Sequence, residues 1–167
     1  AAFTSYGPAH GVLLAPPADG ILAAFDDGAP AVFRRAVGRG TVVHFPWFPG
    51  LSYRKSQHGA QDKLPVGFSP AVRDLIVLPT KLAHVTTPAA VNVPMVETPL
   101  LLSERGAAVT MLNWTGEPQT LTLTTTLPFK AASVTGVKAG KLSFKQVKNT
   151  LTCRVKLGAA EIVMIKP

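Results

Sequence analysis

Cysteine is nearly absent: one residue, Cys153, stands among 167. No intramolecular disulfide is possible, and no cysteine-based zinc site can be built. Aromatic residues are sparse at 7%, and acidic side chains number nine against 17 Lys and Arg. No apolar run approaches the roughly 18 residues that a membrane-crossing helix needs. The chain has no initiator Met and no charged-then-apolar leader, so Ala1-Ala2-Phe3-Thr4-Ser5 reads like the middle of something longer. A fragment or processed chain is the expectation. What is plentiful is backbone punctuation: 15 Pro and 14 Gly cut the chain into short pieces and argue against a helical bundle. The 47% hydrophobic share excludes disorder, and a chain this long buries about 70% of its extended surface without staples.

The formal charge of +8 is unevenly spread. Between residues 129 and 167 stand Lys130, Lys138, Lys141, Lys145, Lys148, Arg154, Lys156 and Lys166 against Glu161 alone. Such a stretch suits a polyanion. Equally, spaced lysines on strand faces keep sheet edges from aggregating. Arg is scarce there, and the aromatics nearby are Phe129 and Phe144, so the interleaved Arg and stacking rings of a nucleic-acid site are missing.

The first half reads as a meander with one helix. Gly20–Phe25 is a short apolar run halted by Asp26-Asp27-Gly28, Ala31–Val37 returns, and Gly38-Arg39-Gly40 turns into Thr41–Phe45. Pro46, Pro49 and Gly50 imply an irregular loop, followed by an exposed polar stretch from Arg54 to Lys63. Ser69-Pro70 caps a helix whose stripe Val72, Leu75 and Ile76 ends before Pro79. From residue 89 the pieces are of strand length: 91–97, 100–103, 107–113, 119–125, 132–137, 142–146, 150–155 and 161–165. Their spacing and turns imply an antiparallel β-sandwich. The boundary is expected near His84–Ala90.

Candidate chemistry is thin. Cys153 lies in an expected strand without the strained turn or helix start a nucleophile needs, and reads as a small buried hydrophobe. No Ser sits in a Gly-x-Ser-x-Gly elbow. Asp26 and Asp27 are neighbours that suit a turn better than an acid–base pair, while Glu97 and Glu104 sit at sandwich edges. The histidines His10, His44, His58 and His84 show no ligand spacing, so no metal or cofactor is expected. The loop from Trp47 to Tyr53, with Arg54, Lys55 and His58 after it, is the richest patch. Trp47 and Tyr53 would stack on a sugar ring while Arg54 and His58 bond its hydroxyls. The competing reading has Trp47 and Phe48 closing the core or burying against another domain.

Two stretches resemble a known family. Phe25–Phe45, with Asp27-Gly28, Pro30-Ala31-Val32, Gly38-Arg39-Gly40 and Val42-Val43-His44-Phe45, resembles the meander closing the amidotransferase-like (flavodoxin-like) trimerisation domain of β-galactosidases. Val96–Pro118 resembles the small C-terminal β-sandwich that follows it in family 42 glycoside hydrolases, as do Asn113-Trp114-Thr115 and the closing Glu161–Ile165. The earlier βα units and the catalytic barrel of that family have no counterpart here, so no catalytic residue carries over.

The expected architecture is mainly β: residues 1–85 as the end of a partial α/β amidotransferase-like segment, then 90–167 as an Ig-like antiparallel sandwich. The resemblance implies a non-catalytic accessory region of a larger bacterial protein, serving domain packing or oligomerisation. Its partners would be the rest of that polypeptide or other subunits, not a membrane or nucleic acid. Carbohydrate binding at the Trp47–His58 loop and polyanion binding at 130–156 are the alternatives, with a hidden hydrolase last. A single Cys is compatible with the cytoplasm and with secretion.

Overall fold

The computed structural model describes residues 3–7, 18–57 and 66–167. These fall into two compact units, one of residues 3–7, 18–57 and 67–85, the other of residue 66 and residues 86–167. The architecture is mainly β, with every strand pair antiparallel.

The first unit is a three-stranded meander: β1 (Ile21–Ala24), β2 (Pro30–Val37) and β3 (Gly40–His44), in that order across the sheet. Asp27 Oδ1 accepts the Ala29 N–H at 2.9 Å, and Gly28 takes φ +83°, so the Asp-Gly pair makes the turn as its chemistry suggests. The expected irregular loop after Pro46 is in part a helix, α1 (Pro49–Ser56). Pro49 at its first turn has no N–H to leave unpaired, a start signal outweighed in the sequence by the cluster of Pro and Gly. Arg54, expected in an exposed polar stretch, is the first of two cations in the last turn of α1. Helix α2 (Pro70–Ile76) forms as expected, with Ser69 Oγ accepting the Val72 N–H at 3.4 Å. A short α3 (Leu78–Leu82) follows, with Pro79 in its first turn. Ser56 Oγ donates to the Tyr53 carbonyl at 2.7 Å and accepts the Ser69 N–H at 2.8 Å, linking α1 to the start of α2. Val32, Trp47 and Val72 form the buried centre, ringed by Phe3, Leu22, Phe25, Phe45, Tyr53 and Leu75.

The second unit is a two-sheet sandwich. Its strands are β4 (Ala89–Val91), β5 (Val96–Glu97), β6 (Leu100–Ser103), β7 (Gly106–Asn113), β8 (Gln119–Thr126), β9 (Ser133–Gly136), β10 (Gly140–Lys141), β11 (Phe144–Val147), β12 (Thr150–Leu157) and β13 (Ala160–Lys166). One sheet runs β10-β9-β13-β7-β5, with β6 also paired to β7, and the other runs β11-β12-β8-β4. The single strand expected over 91–97 is two. Pro94 cannot donate to a ladder, and Met95 takes φ +62°, so the chain leaves one sheet at Val91 and joins the other at Val96.

Period-two patterning builds the core. Leu121 and Leu123 of β8 face Leu151, Cys153, Val155 and Leu157 of β12 on the inner side, against Val109 and Met111 of β7 and Val163 and Ile165 of β13. Thr125 is buried among them, its hydroxyl donating to the Pro88 carbonyl at 3.0 Å. Asn113 ties two loops together: its amide N–H groups donate to the Glu117 and Gly158 carbonyls at 2.9 and 2.8 Å. Its Oδ1 accepts from the Thr115 N–H and hydroxyl. No described helix is long and apolar enough to cross a membrane.

Candidate functional site

Among the described residues of the aromatic loop, Trp47 is turned into the core of the first unit. Trp47 is 3% exposed, with Phe3 at 5.3 Å and Phe45 at 6.0 Å between ring centroids. Its indole N–H donates to the Ala31 carbonyl at 2.7 Å. The ring is therefore a core member of the first unit, and stacking on a ligand would require it to leave. Tyr53 is half-buried and stacks on Phe68 at 4.7 Å. Arg54 is exposed, and His58 lies outside the described residues. Of the candidate readings for Trp47, the core one matches this placement. Phe48, paired with it in that reading, is instead 52% exposed.

Cys153 is buried on the inner face of β12, and burial pushes its thiol up to about 11. At neutral pH it carries almost no thiolate, which removes it as a nucleophile. Among the described residues, no group of three or more His, Cys, Asp or Glu is placed to hold a metal ion.

Sequence reasoning passed over a better-built site. In the sequence Glu161 stands as the lone acid of a basic stretch and the start of an expected strand, with no site assigned to it. It is the second residue of β13, on the same side as Val163 and Ile165, so the strand carries its carboxylate inward, where it is 3% exposed. The turn between β9 and β10 folds over it. Oε1 accepts the Ile162 N–H at 2.8 Å and the Lys138 N–H at 3.1 Å, and Oε2 accepts the Ala139 N–H at 2.9 Å. Burial alone would raise the Glu161 pKa, but donors on the Lys138, Ile162, Ala139 and Val137 backbone outweigh it and hold the carboxyl below its ordinary value. Gly136 makes room for this: a Cβ there would sit 3.0 Å from the Ala139 Cβ and 3.1 Å from Glu161 Oε2.

Beside this carboxylate opens a cavity of about 540 Å³. Leu142, Ala139, Ala160 and Gly158 supply its apolar surface, and Thr120, Lys138, Arg154 and Lys156 its polar one. The β8–β12 register explains the grouping: Lys156 pairs with Thr120 and Arg154 with Thr122 on the outer face of the sheet. β11 begins pairing only at Phe144, opposite Cys153, so β12 beyond that point lacks a neighbour on this side. The only ion pair among the described residues is Lys81 with Asp74, so none of the three cations of the cavity is ion-paired with a carboxylate, Glu161 included. In the first unit a second cavity, of about 570 Å³, is lined by Phe3–Ser5, Ala23–Asp26 and Ala31, with Asp26 as its one carboxylate. Among the described residues, neither cavity brings two carboxylates together.

No family model matches the sequence, and no curated protein does. Among solved structures the fold is similar to alpha-L-fucosidase isoenzyme 2 from Paenibacillus thiaminolyticus, with a TM-score of 0.55 and 14% identity. The likeness covers 83% of this chain and 22% of that enzyme, so this chain spans under a quarter of its length. At that identity the likeness is one of fold alone.

Proposed function

We propose that the chain is a non-catalytic accessory region of a larger carbohydrate-active, β-galactosidase-like protein, and that it serves domain packing or oligomerisation. The observation that carries this reading is the outer face of the six-stranded sheet. Cross-strand register aligns Thr135, Met164, Ala108 and Leu101 in one row, with Ile162 and Thr110 in the next. Leu101 is 68% exposed, Met164 39%, and Ile162 and Val137 are also exposed. Contiguous apolar side chains on a sheet face are a surface for another domain or subunit. The similarity to a fucosidase of much greater length supports a place within a multidomain glycosidase. The finer assignment to the family 42 group, with residues 1–85 closing an amidotransferase-like domain, rests on the resemblance of Phe25–Phe45 and Val96–Pro118.

Purified alone, the chain is expected to hydrolyse neither nitrophenyl α-L-fucoside nor nitrophenyl β-D-galactoside. Leu101→Glu with Met164→Glu is expected to reduce association in sedimentation velocity while leaving the circular dichroism spectrum unchanged. Turnover of either glycoside by the purified chain overturns the non-catalytic part. Unchanged sedimentation of the intact polypeptide overturns the packing part.

Carbohydrate binding is the second reading. The burial of Trp47 removes its best stacking group from the Trp47–His58 loop, and the Glu161 cavity offers another place for it. Polyanion binding through 130–156 draws on Lys145, Arg154 and Lys156, whose register places them on one sheet face.

A further inference from the structure

We infer that the cavity beside Glu161 is a binding site for an acidic sugar residue, with Arg154, Lys156 and Lys138 holding its carboxylate and Thr120 a neighbouring hydroxyl. This rests on the carbohydrate reading above and names the ligand class for it. The volume of about 540 Å³ lies within the range of small-ligand pockets and accommodates a disaccharide. Leu142, Ala139 and Ala160 provide an apolar surface suited to the C–H face of a pyranose ring. Among the described residues no aromatic lines the cavity, so the affinity is sought in charge rather than stacking.

Charge decides the ligand. Glu161 is the one acid in the wall, and its oxygens are already committed to the backbone of Lys138, Ala139 and Ile162. It therefore neither pairs with the three cations nor leaves much capacity for a cationic ligand. It fixes the main chain of the turn, and so the position from which Lys138 reaches. The cations are left with a net attraction for an anion, and Arg154 offers the planar fork that grips a carboxylate through two hydrogen bonds. A neutral sugar gains none of these charge-assisted bonds.

The test titrates the full chain, labelled with nitrogen-15, with digalacturonic acid and separately with galactobiose, its neutral counterpart. The expected result is saturable shifts of the Lys138, Ala139 and Lys156 amide signals with digalacturonic acid. Galactobiose should bind at least about tenfold more weakly, the difference a charged hydrogen bond makes. In Arg154→Gln with Lys156→Gln, both exposed and so not required for folding, the affinity for digalacturonic acid should fall by about tenfold or more. Equal affinity for the two disaccharides, or no loss in the double variant, overturns the charge selection while leaving a sugar-binding sandwich standing. Acetate or sulfate shifting the same amides as tightly as digalacturonic acid overturns the sugar assignment and with it the carbohydrate-binding reading. Absence of any shift overturns the site altogether.

Discussion

Replacing Glu161 by Gln tests the clearest piece of physical design in the sandwich. The carboxylate accepts from three backbone N–H groups at 2.8 to 3.1 Å, with both oxygens in use. An amide presents one oxygen and one NH2. Whichever way it is turned, at least one backbone N–H then faces another donor instead of an acceptor. Hydrogen bonds to a charged group contribute about 1.5–3 kcal/mol each, and a buried donor left unpaired costs about 1–3 kcal/mol. Losing one such bond and weakening the others to neutral strength gives a destabilisation of about 2–4 kcal/mol. For a unit of this size that corresponds to a fall in melting temperature on the order of 10–20 °C.

The pH dependence supplies an independent check. A carboxyl whose folded pKa lies below its ordinary value of 4.5 stabilises the fold fully above that value. That stability is lost as pH falls through the lower, folded value. The gap between parent and variant should be full at pH about 7 and close in acid, because a protonated Glu resembles Gln. Cys153, buried in the same unit, reports its opening: pulsed labelling with dithiodipyridine across a urea series reads the unfolding of the sandwich. A variant within about 0.5 kcal/mol of the parent near neutral pH would refute the reasoning. So would a gap that stays constant into acid.

Three further outcomes follow from the packing. Trp47→Ala should destabilise the first unit by about 3–5 kcal/mol, seen as early loss of its amide protection, whereas a surface aromatic would cost little. Native Cys153 should resist thiol reagents near pH 8, since its pKa of about 11 and its burial both oppose reaction; labelling at the rate of a free thiol would contradict this. Gly106 holds φ +133°, and a Cβ there would run into the Ile165 carbonyl, so Gly106→Ala should cost about 1–3 kcal/mol in urea unfolding.

Much of the fold was legible because its signals are local. The Asp27-Gly28 and Gly38-Arg39-Gly40 turns delimit the meander, and the Thr120-Leu121-Thr122-Leu123-Thr124 alternation marks β8 without reference to anything distant. Helix α1 was missed because Pro49 and Gly50 carry opposite meanings in a loop and in a first helical turn, and the choice is made by packing of Tyr53 in the unit's core. The site was less legible. Trp47 looked available because its burial depends on Phe3, Val32 and Val72, all distant in sequence. Glu161 and Lys138 are 23 residues apart, and only the pairing of β13 with β9 brings the turn over the carboxylate. The one available signal was an acid at an inward position of an alternating strand, where a charge must find partners.

The most direct test of the proposed accessory role takes the larger protein that the proposal calls for and compares it with its Leu101→Glu, Met164→Glu form by sedimentation and by glycoside turnover. Packing through the outer sheet face calls for a smaller assembly whose turnover per catalytic centre is unchanged. Turnover abolished with the assembly intact would contradict it and place these residues in the chemistry instead.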